Sequence, residues 1–289
     1  MEDKRSGDIS RFKAGGFSKT QNCTGCNEEY QANYITIFAT PRDLSAGTCR
    51  KCSDIIIAER EAEEEAQRLA DIAHIRTEAR QRTGIPVRFM AQDFSTFDKQ
   101  YQGKAFDKCW KYAESFPVER RTAGQPSLII YSKNSWGVGK THLSAAIMHR
   151  ILDRWAGEGR GCPRMVFMSE YDLFRNIQAT FNYSAEDRRL RESEEDIIKR
   201  LTYCDLLVLD DVGKEARQDP RFVQRTLFAI IDGRYKLDKP MVLTANGTIE
   251  QLKSHLGNVS SDQASFDRIW EMTEGKALAI DGESYRRRK

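Results

Sequence analysis

The chain has 289 residues, 39% hydrophobic and 31% charged, with a formal net charge of +3. That length allows one large domain or two, and no apolar run approaches the length of about 18 residues needed to cross a bilayer, which excludes a membrane-spanning protein. Near-balanced charge is no argument for nucleic acid by itself, and the charged start Met1 to Asp8 lacks an apolar stretch, so no secretory signal and a cytoplasmic location are expected.

Residues 1–22 are polar, contain Gly15-Gly16 and show no periodicity, which predicts a mobile segment. Next come Cys23-Thr-Gly-Cys26 and Cys49-Arg-Lys-Cys52. The cysteine count of 7 is odd, with four clustered in pairs, and in a reducing compartment that pattern means metal before disulfide. Two C-x-x-C knuckles about twenty residues apart have the spacing of a structural zinc site, each giving two sulfurs to one tetrahedral ion. Four thiolates leave no open coordination position, so Cys23, Cys26, Cys49 and Cys52 hold a structural ion. Between them Tyr34 to Phe38 is β-rich and Pro41 begins a turn, as in a small zinc ribbon spanning 1–53, whose folding free energy comes mostly from the metal.

Residues 54–82 lack Gly and Pro and carry Ala62, Ala66, Leu69 and Ala73 at helical spacing. They predict a long helix capped by Ser53 and stopped by Gly84 and Pro86, about 40 Å long at about 1.5 Å per residue. Its apolar stripe is thin, so segment 54–83 reads as a spacer or partner-binding helix, or as a charged solvated linker. A second domain covers 84–289. An amphipathic helix spans Lys104 to Ser115, and strands at Leu128 to Tyr131, Arg164 to Met168, Asp205 to Asp211, Pro240 to Asn246 and Ala277 to Asp281 are separated by helical stretches. Such alternation predicts an α/β fold with a five-stranded parallel sheet covered by helices on both faces.

The first of these strands runs into a turn with Gly137 and Gly139 and then into a helix, the context of a P-loop. Successive backbone N–H groups wrap a phosphate while the positive end of the helix faces the same anion. The ATP-binding segment is Asn134, Ser135, Trp136, Gly137, Val138, Gly139, Lys140, Thr141 and His142. Lys140 reaches the β- and γ-phosphates and the Thr141 hydroxyl ligates Mg²⁺. Asn134 stands where the motif has its first glycine, and asparagine is the residue after glycine that best tolerates left-handed backbone. The apolar run Leu206 to Leu209 ends in Asp210-Asp211, as a Walker B strand does: Asp210 serves the Mg²⁺ shell and Asp211 polarises the attacking water. Aspartate at the second place is a methylene shorter than glutamate, which predicts slow hydrolysis. Asn246 ends the next apolar strand, placed to sense the γ-phosphate or the water.

The segments Gly84-Ile-Pro, Gly137-Val-Gly-Lys-Thr-His-Leu, Leu206-Leu-Val-Leu-Asp-Asp-Val-Gly213, Ile231-Asp-Gly-Arg-Tyr235, Thr244-Ala-Asn246, Phe266-Asp-Arg-Ile269 and Gly282-Glu-Ser-Tyr-Arg286 together resemble the DnaC/DnaI-type helicase loaders and the related IstB transposition ATPases, both of the AAA+ class. The resemblance covers 84–289. It implies that Arg268 is an arginine finger completing a neighbouring subunit's ATP site, so that the chain self-associates, and that Arg286 is a sensor 2 arginine within its own subunit. The cysteine-rich front end is similar to the zinc-bearing N-terminal domain of DnaI-like and phage loaders, implying contact with a hexameric replicative helicase. Single-stranded DNA is the second implied ligand. On the helix from Glu170, which also carries Tyr171 and Tyr183, the residues Leu173, Phe174, Ile177 and Phe181 share a face and are assigned to the core; Arg175, Lys199 and Lys214 are the candidate phosphate contacts. The resulting expectation is a bacterial or phage ATPase that loads a helicase on DNA using ATP, Mg²⁺ and a structural Zn²⁺. The alternatives are an IstB-like transposition helper on duplex DNA and a non-hydrolysing zinc adapter.

Overall fold

The computed structural model describes residues 16–37, 40–119, 121–133, 135–159, 161–184, 186–213, 219–257 and 263–287. It divides into two compact units, Met1–Asp71 and Ile72–Lys289.

In the first unit, strands β1 (Gly16–Asn22), β2 (Glu29–Ile37) and β3 (Thr40–Asp43) form an antiparallel sheet in that order. β1 departs from the sequence reading of 1–22 as an aperiodic, mobile segment, since Gly16–Asn22 form a paired strand; residues 1–15 lie outside the described residues. The strand is almost wholly exposed, so it has no buried face and no alternation to reveal it. It is held by its ladder with β2, by Phe17 stacked on Tyr34 with ring centroids 5.2 Å apart, and by Gln21 Nε2 donating to Tyr30 Oη at 2.6 Å and Asp43 at 2.7 Å. Helix α1 (Arg50–Arg82) begins before Ser53, because the second C-x-x-C knuckle forms its first turn: Ser53 N–H donates to the carbonyl of Cys49 at 2.9 Å.

The second unit contains α2 (Lys99–Ser115), β4 (Leu128–Ser132), α3 (Lys140–Arg154), β5 (Met165–Ser169), α4 (Glu170–Phe181), α5 (Asp187–Leu190), α6 (Glu194–Tyr203), β6 (Leu206–Val212), α7 (Pro220–Lys236), β7 (Met241–Asn246), α8 (Ile249–Leu256), α9 (Ala264–Met272) and β8 (Ala277–Ala279). α2 starts five residues before the predicted Lys104, with the Asp98 side chain capping the N–H of Gln100 at 3.1 Å and a kink at Gln102 that breaks the periodicity.

The strands make one parallel sheet in the order β5-β6-β7-β4-β8. Side chains alternate across a strand, so an uninterrupted apolar run must be buried on both faces. Leu206 and Val208 join Ile130, Val242 and Phe167 in a core shared with α2 and α3. Leu207 and Leu209 join Ile129, Leu243 and Val166 in a second core shared with α4, α6, α7, α8 and α9. Arg234 of α7 is fully buried between layers, yet its guanidinium donates to the carbonyls of Leu201, Thr202, Cys204 and Pro240, satisfying the orphan end of α6 and the entry to β7. On α4, Leu173, Phe174 and Ile177 are buried as expected, but Phe181 is 55% exposed and meets Phe222 edge-on, because the helix ends there and leaves the core.

Candidate functional site

β4 delivers Ser132 to the carboxyl edge of the sheet, and the chain turns back into α3 with Gly139 at the N-cap. Gly139 has φ +100°, and a Cβ there would lie 2.7 Å from the Phe97 ring, so both backbone and packing require glycine. Lys140 is buried for a lysine, and its Nζ donates to Ser132 Oγ at 2.5 Å and Asn246 Oδ1 at 2.7 Å, with the Ser135 carbonyl at 3.4 Å. Ser132 Oγ in turn donates to the Ser135 carbonyl at 2.6 Å, fixing the turn that precedes the lysine.

The neighbouring strand ends complete the arrangement. Asp210 is buried at the end of β6 and accepts from Thr141 Oγ1 at 3.0 and 3.3 Å and from Thr244 Oγ1 at 2.5 Å. Thr244 also accepts the N–H of Asp211 at 2.9 Å, so one hydroxyl sets both acids. The β6–β7 register shifts between Leu209 and Val212, and Asp211 sits in that bulge with φ +60°. Left-handed backbone outside glycine is a local strain of about 1–3 kcal/mol and concentrates at functional positions. Asn246 Nδ2 donates to Asp211 Oδ1 at 2.8 Å while its Oδ1 accepts from Lys140. The partners fix the amide's orientation, since ammonium only donates and carboxylate only accepts. Because β7 lies between β6 and β4, with Asn246 in register with Ser132, this asparagine is the physical link between the lysine and the acid.

The P-loop turn lines a cleft whose other wall, apart from Tyr285 of the Gly282-to-Arg286 motif, was not legible as a site in the sequence. Arg88, Gln92, Phe97 and Tyr101 come from the segment before α2 and from its first turn, and Tyr285 from a 3-10 turn at Tyr285–Arg287. Tyr285 N–H donates to the Gly137 carbonyl at 3.0 Å. His142 Nε2 lies 2.8 Å from the Asp93 carbonyl and 3.2 Å from Thr96 Oγ1, tying α3 to that wall; burial pushes its pKa below the ordinary value. Val138 is buried, Ser135 Oγ receives the Gly282 N–H at 3.4 Å, and Trp136 is 64% exposed on the cleft rim. Asn134 lies outside the described residues.

Other sequence candidates stand apart from this cluster. Arg268 on α9 has Nε 3.2 Å from Asp232 Oδ1 of α7 and its guanidinium over the rings of Phe228 and Tyr235, and it does not line the cleft. Arg286 falls in the 3-10 turn, its side chain outside what is described. Arg175 is exposed over Tyr171 and paired with Asp172 at 3.0 Å, Lys199 is paired with Glu195 at 2.7 Å, and Lys214 lies outside the described residues.

In the first unit, the sulfurs of Cys23, Cys26, Cys49 and Cys52 all lie within 4.8 Å of one another. Tetrahedral bonds of about 2.3 Å separate thiolates by less than this limit, so the four fit one zinc ion. Gly25 permits it: a Cβ there would lie 3.0 Å from Cys52 Sγ. The N–H groups of Cys49 at 3.1 Å and Gly25 at 3.4 Å point at Cys23 Sγ. Led by the Cys49 N–H, such donors lower the Cys23 thiol to about 6, whereas the neighbouring cysteine sulfurs, Cys23 first, raise Cys52 to about 12. A hard ion such as Mg²⁺ fits the other cluster, where Thr141 and Asp210 offer oxygen donors within contact of each other.

The chain is similar to known proteins in sequence and in fold. The replicative helicase loader DnaC of Escherichia coli is 25% identical over 210 residues, covering 72% of this chain and 74% of its own. The phage-like element PBSX protein XkdC of Bacillus subtilis is 26% identical over 153 residues, 52% of this chain and 49% of its own. The crystal structure of the DnaC helicase loader superposes with a TM-score of 0.51 at 22% identity, over 68% of this chain and 100% of that one, and shares its AAA+ fold. A family model described as IstB-like ATP binding protein matches residues 128–289, and the chain therefore belongs to the IstB-like ATP-binding family.

Proposed function

We propose that the chain is an ATP-hydrolysing helicase loader of DNA replication. The observation that carries the reading is the single hydrogen-bonded network in which Lys140, Thr141, Asp210, Asp211 and Asn246 meet at one edge of the sheet. Lys140 and the N–H groups of the turn bind the phosphates, and Thr141 with Asp210 would hold magnesium, which neutralises phosphate charge. Asp211 takes the proton of the attacking water as the new P–O bond forms and the bond to the ADP oxygen breaks. Asn246 orients that carboxylate and reports the γ-phosphate to Lys140. The shorter aspartate and its strained backbone support slow turnover.

Arg268 acts in a neighbouring subunit's site, with Asp232 and the Phe228 and Tyr235 rings presenting it from α9. Cys23, Cys26, Cys49 and Cys52 hold zinc in the module that grips the helicase. Single-stranded DNA tracks along exposed positions such as Arg175 beside Tyr171, with Lys199 and Lys214 as further phosphate contacts; base stacking on tyrosine is sequence-tolerant.

Steady-state ATP turnover of the full chain, with and without single-stranded DNA, tests this. Turnover should rise with single-stranded DNA and fall by more than about a hundredfold in Lys140→Ala, and the wild type should copurify with a hexameric replicative helicase. Stimulation by duplex DNA with no helicase contact would favour a transposition helper, and absence of nucleotide binding would overturn the reading.

A further inference from the structure

Glu170 opens α4 and its side chain is fully shielded from solvent. A buried carboxylate is costly unless its oxygens are hydrogen-bonded. Here each oxygen has a partner on a different element. Oε2 accepts the N–H of Gly213 at 2.8 Å, two residues beyond Asp211, and Oε1 lies 2.5 Å from Nε2 of His255 in the last turn of α8. The β5–β6 ladder ends at Ser169 opposite Asp210, so Glu170 continues by side chain a pairing that the strands no longer make. The strand passes its bulge at Asp211, φ +60°, pairs once more through Val212 with Ala245, and leaves the sheet at Gly213, φ +94°. α8 starts directly behind Asn246, with Thr248 as its cap, so His255 ties the same carboxylate to the helix following the sensor strand.

We propose that Glu170, braced by His255, is a positioning residue for ATP hydrolysis: it pins Gly213 and thereby aims Asp211, without lining the nucleotide cleft. Without Glu170 the end of the strand would be held from the β7 side alone, through Thr244, the Val212–Ala245 pair and Asn246 on the Asp211 carboxylate, and displacement of a reacting group by about 1 Å costs up to about a hundredfold in rate. The inference rests on the hydrolysis reading above, and its test separates the two.

The full chain is compared with Glu170→Gln, His255→Ala and His255→Gln for ATP turnover, affinity for a non-hydrolysable ATP analogue, and amide hydrogen exchange over residues 206–213. Glu170→Gln keeps shape and loses the charge. It should lower kcat between about tenfold and about a hundredfold with KM and analogue affinity within about twofold of wild type, and quicken exchange over 206–213. His255→Gln, which retains an N–H donor, should recover part of the loss seen in His255→Ala. Unchanged kcat and exchange in Glu170→Gln would overturn the proposal, as would kcat and affinity falling together, the mark of general unfolding. If the wild type binds ATP without turning it over, the hydrolysis reading fails, and exchange at 206–213 decides the positioning claim: faster exchange in Glu170→Gln supports it, and unchanged exchange overturns it.

Discussion

Among the described residues up to 71, the buried apolar positions are Cys23, Ala32 and Cys49, two of which are candidate metal ligands; from Ile72 onwards two apolar cores cover opposite faces of a five-stranded sheet. With a metal held by the four cysteines, the same chain would use two routes to a folded state. Where too few residues can be buried to offset chain entropy, thiolate bonds to one ion would supply the missing free energy; where an all-buried sheet is available, apolar transfer suffices. The two units should therefore fail under different insults.

The largest effect is expected from metal removal. Structural zinc contributes about 10–16 kcal/mol in metal-folded peptides, so chelation, or Cys26→Ser with Cys52→Ser, should abolish amide protection in β1 to β3 while the second unit melts as before. Protection that survives chelation would break the contrast. Next, Leu209→Ala removes a fully buried side chain beneath the acids and should cost about 2–5 kcal/mol in denaturant unfolding of the second unit, with zinc content unchanged. The smallest effect sharpens the contrast from the side. Arg60 and Glu64 pair at 2.7 Å on an exposed stretch of α1, and Glu64→Gln should leave both melting transitions within about 2 °C.

What the sequence revealed and concealed follows the same division. The strand ending in Asp210-Asp211 was readable because burial on both faces demands an unbroken apolar run, and the C-x-x-C pairs were readable because ligand spacing is local. β1 was not, since an exposed strand needs no alternation, and α1 starts ahead of Ser53 because its first turn belongs to the second C-x-x-C pair. At the site, Lys140, Thr141 and Asn246 carry motif spacing. Thr244 belongs to the Thr244-Ala-Asn246 motif, but its hydroxyl's role in setting both acids depends on which strands lie side by side. Phe97 against Gly139, the cleft wall from Arg88 to Tyr101, and the buried Glu170 depend on contacts between distant segments, and no periodicity encodes those. The core assignment of Phe181 failed because periodicity gives the face of a helix and says nothing of where the core stops.

Helix α1 illustrates how local anchoring shapes sequence freedom. Its first turn is set by Cys49 and Cys52, and its last turns by Ile72, by Arg76 donating to the Trp155 carbonyl at 2.9 Å and by Arg80 reaching Asp153 at 2.6 Å. Starting a helix carries a statistical weight of about 10⁻³, whereas extending one is nearly neutral per residue. With both ends nucleated elsewhere, residues 54–71, all exposed, need only propagate a conformation already begun. The fold asks of that stretch only that helix breakers stay out, so changes of composition or charge in its glutamate-rich middle should cost the helix little.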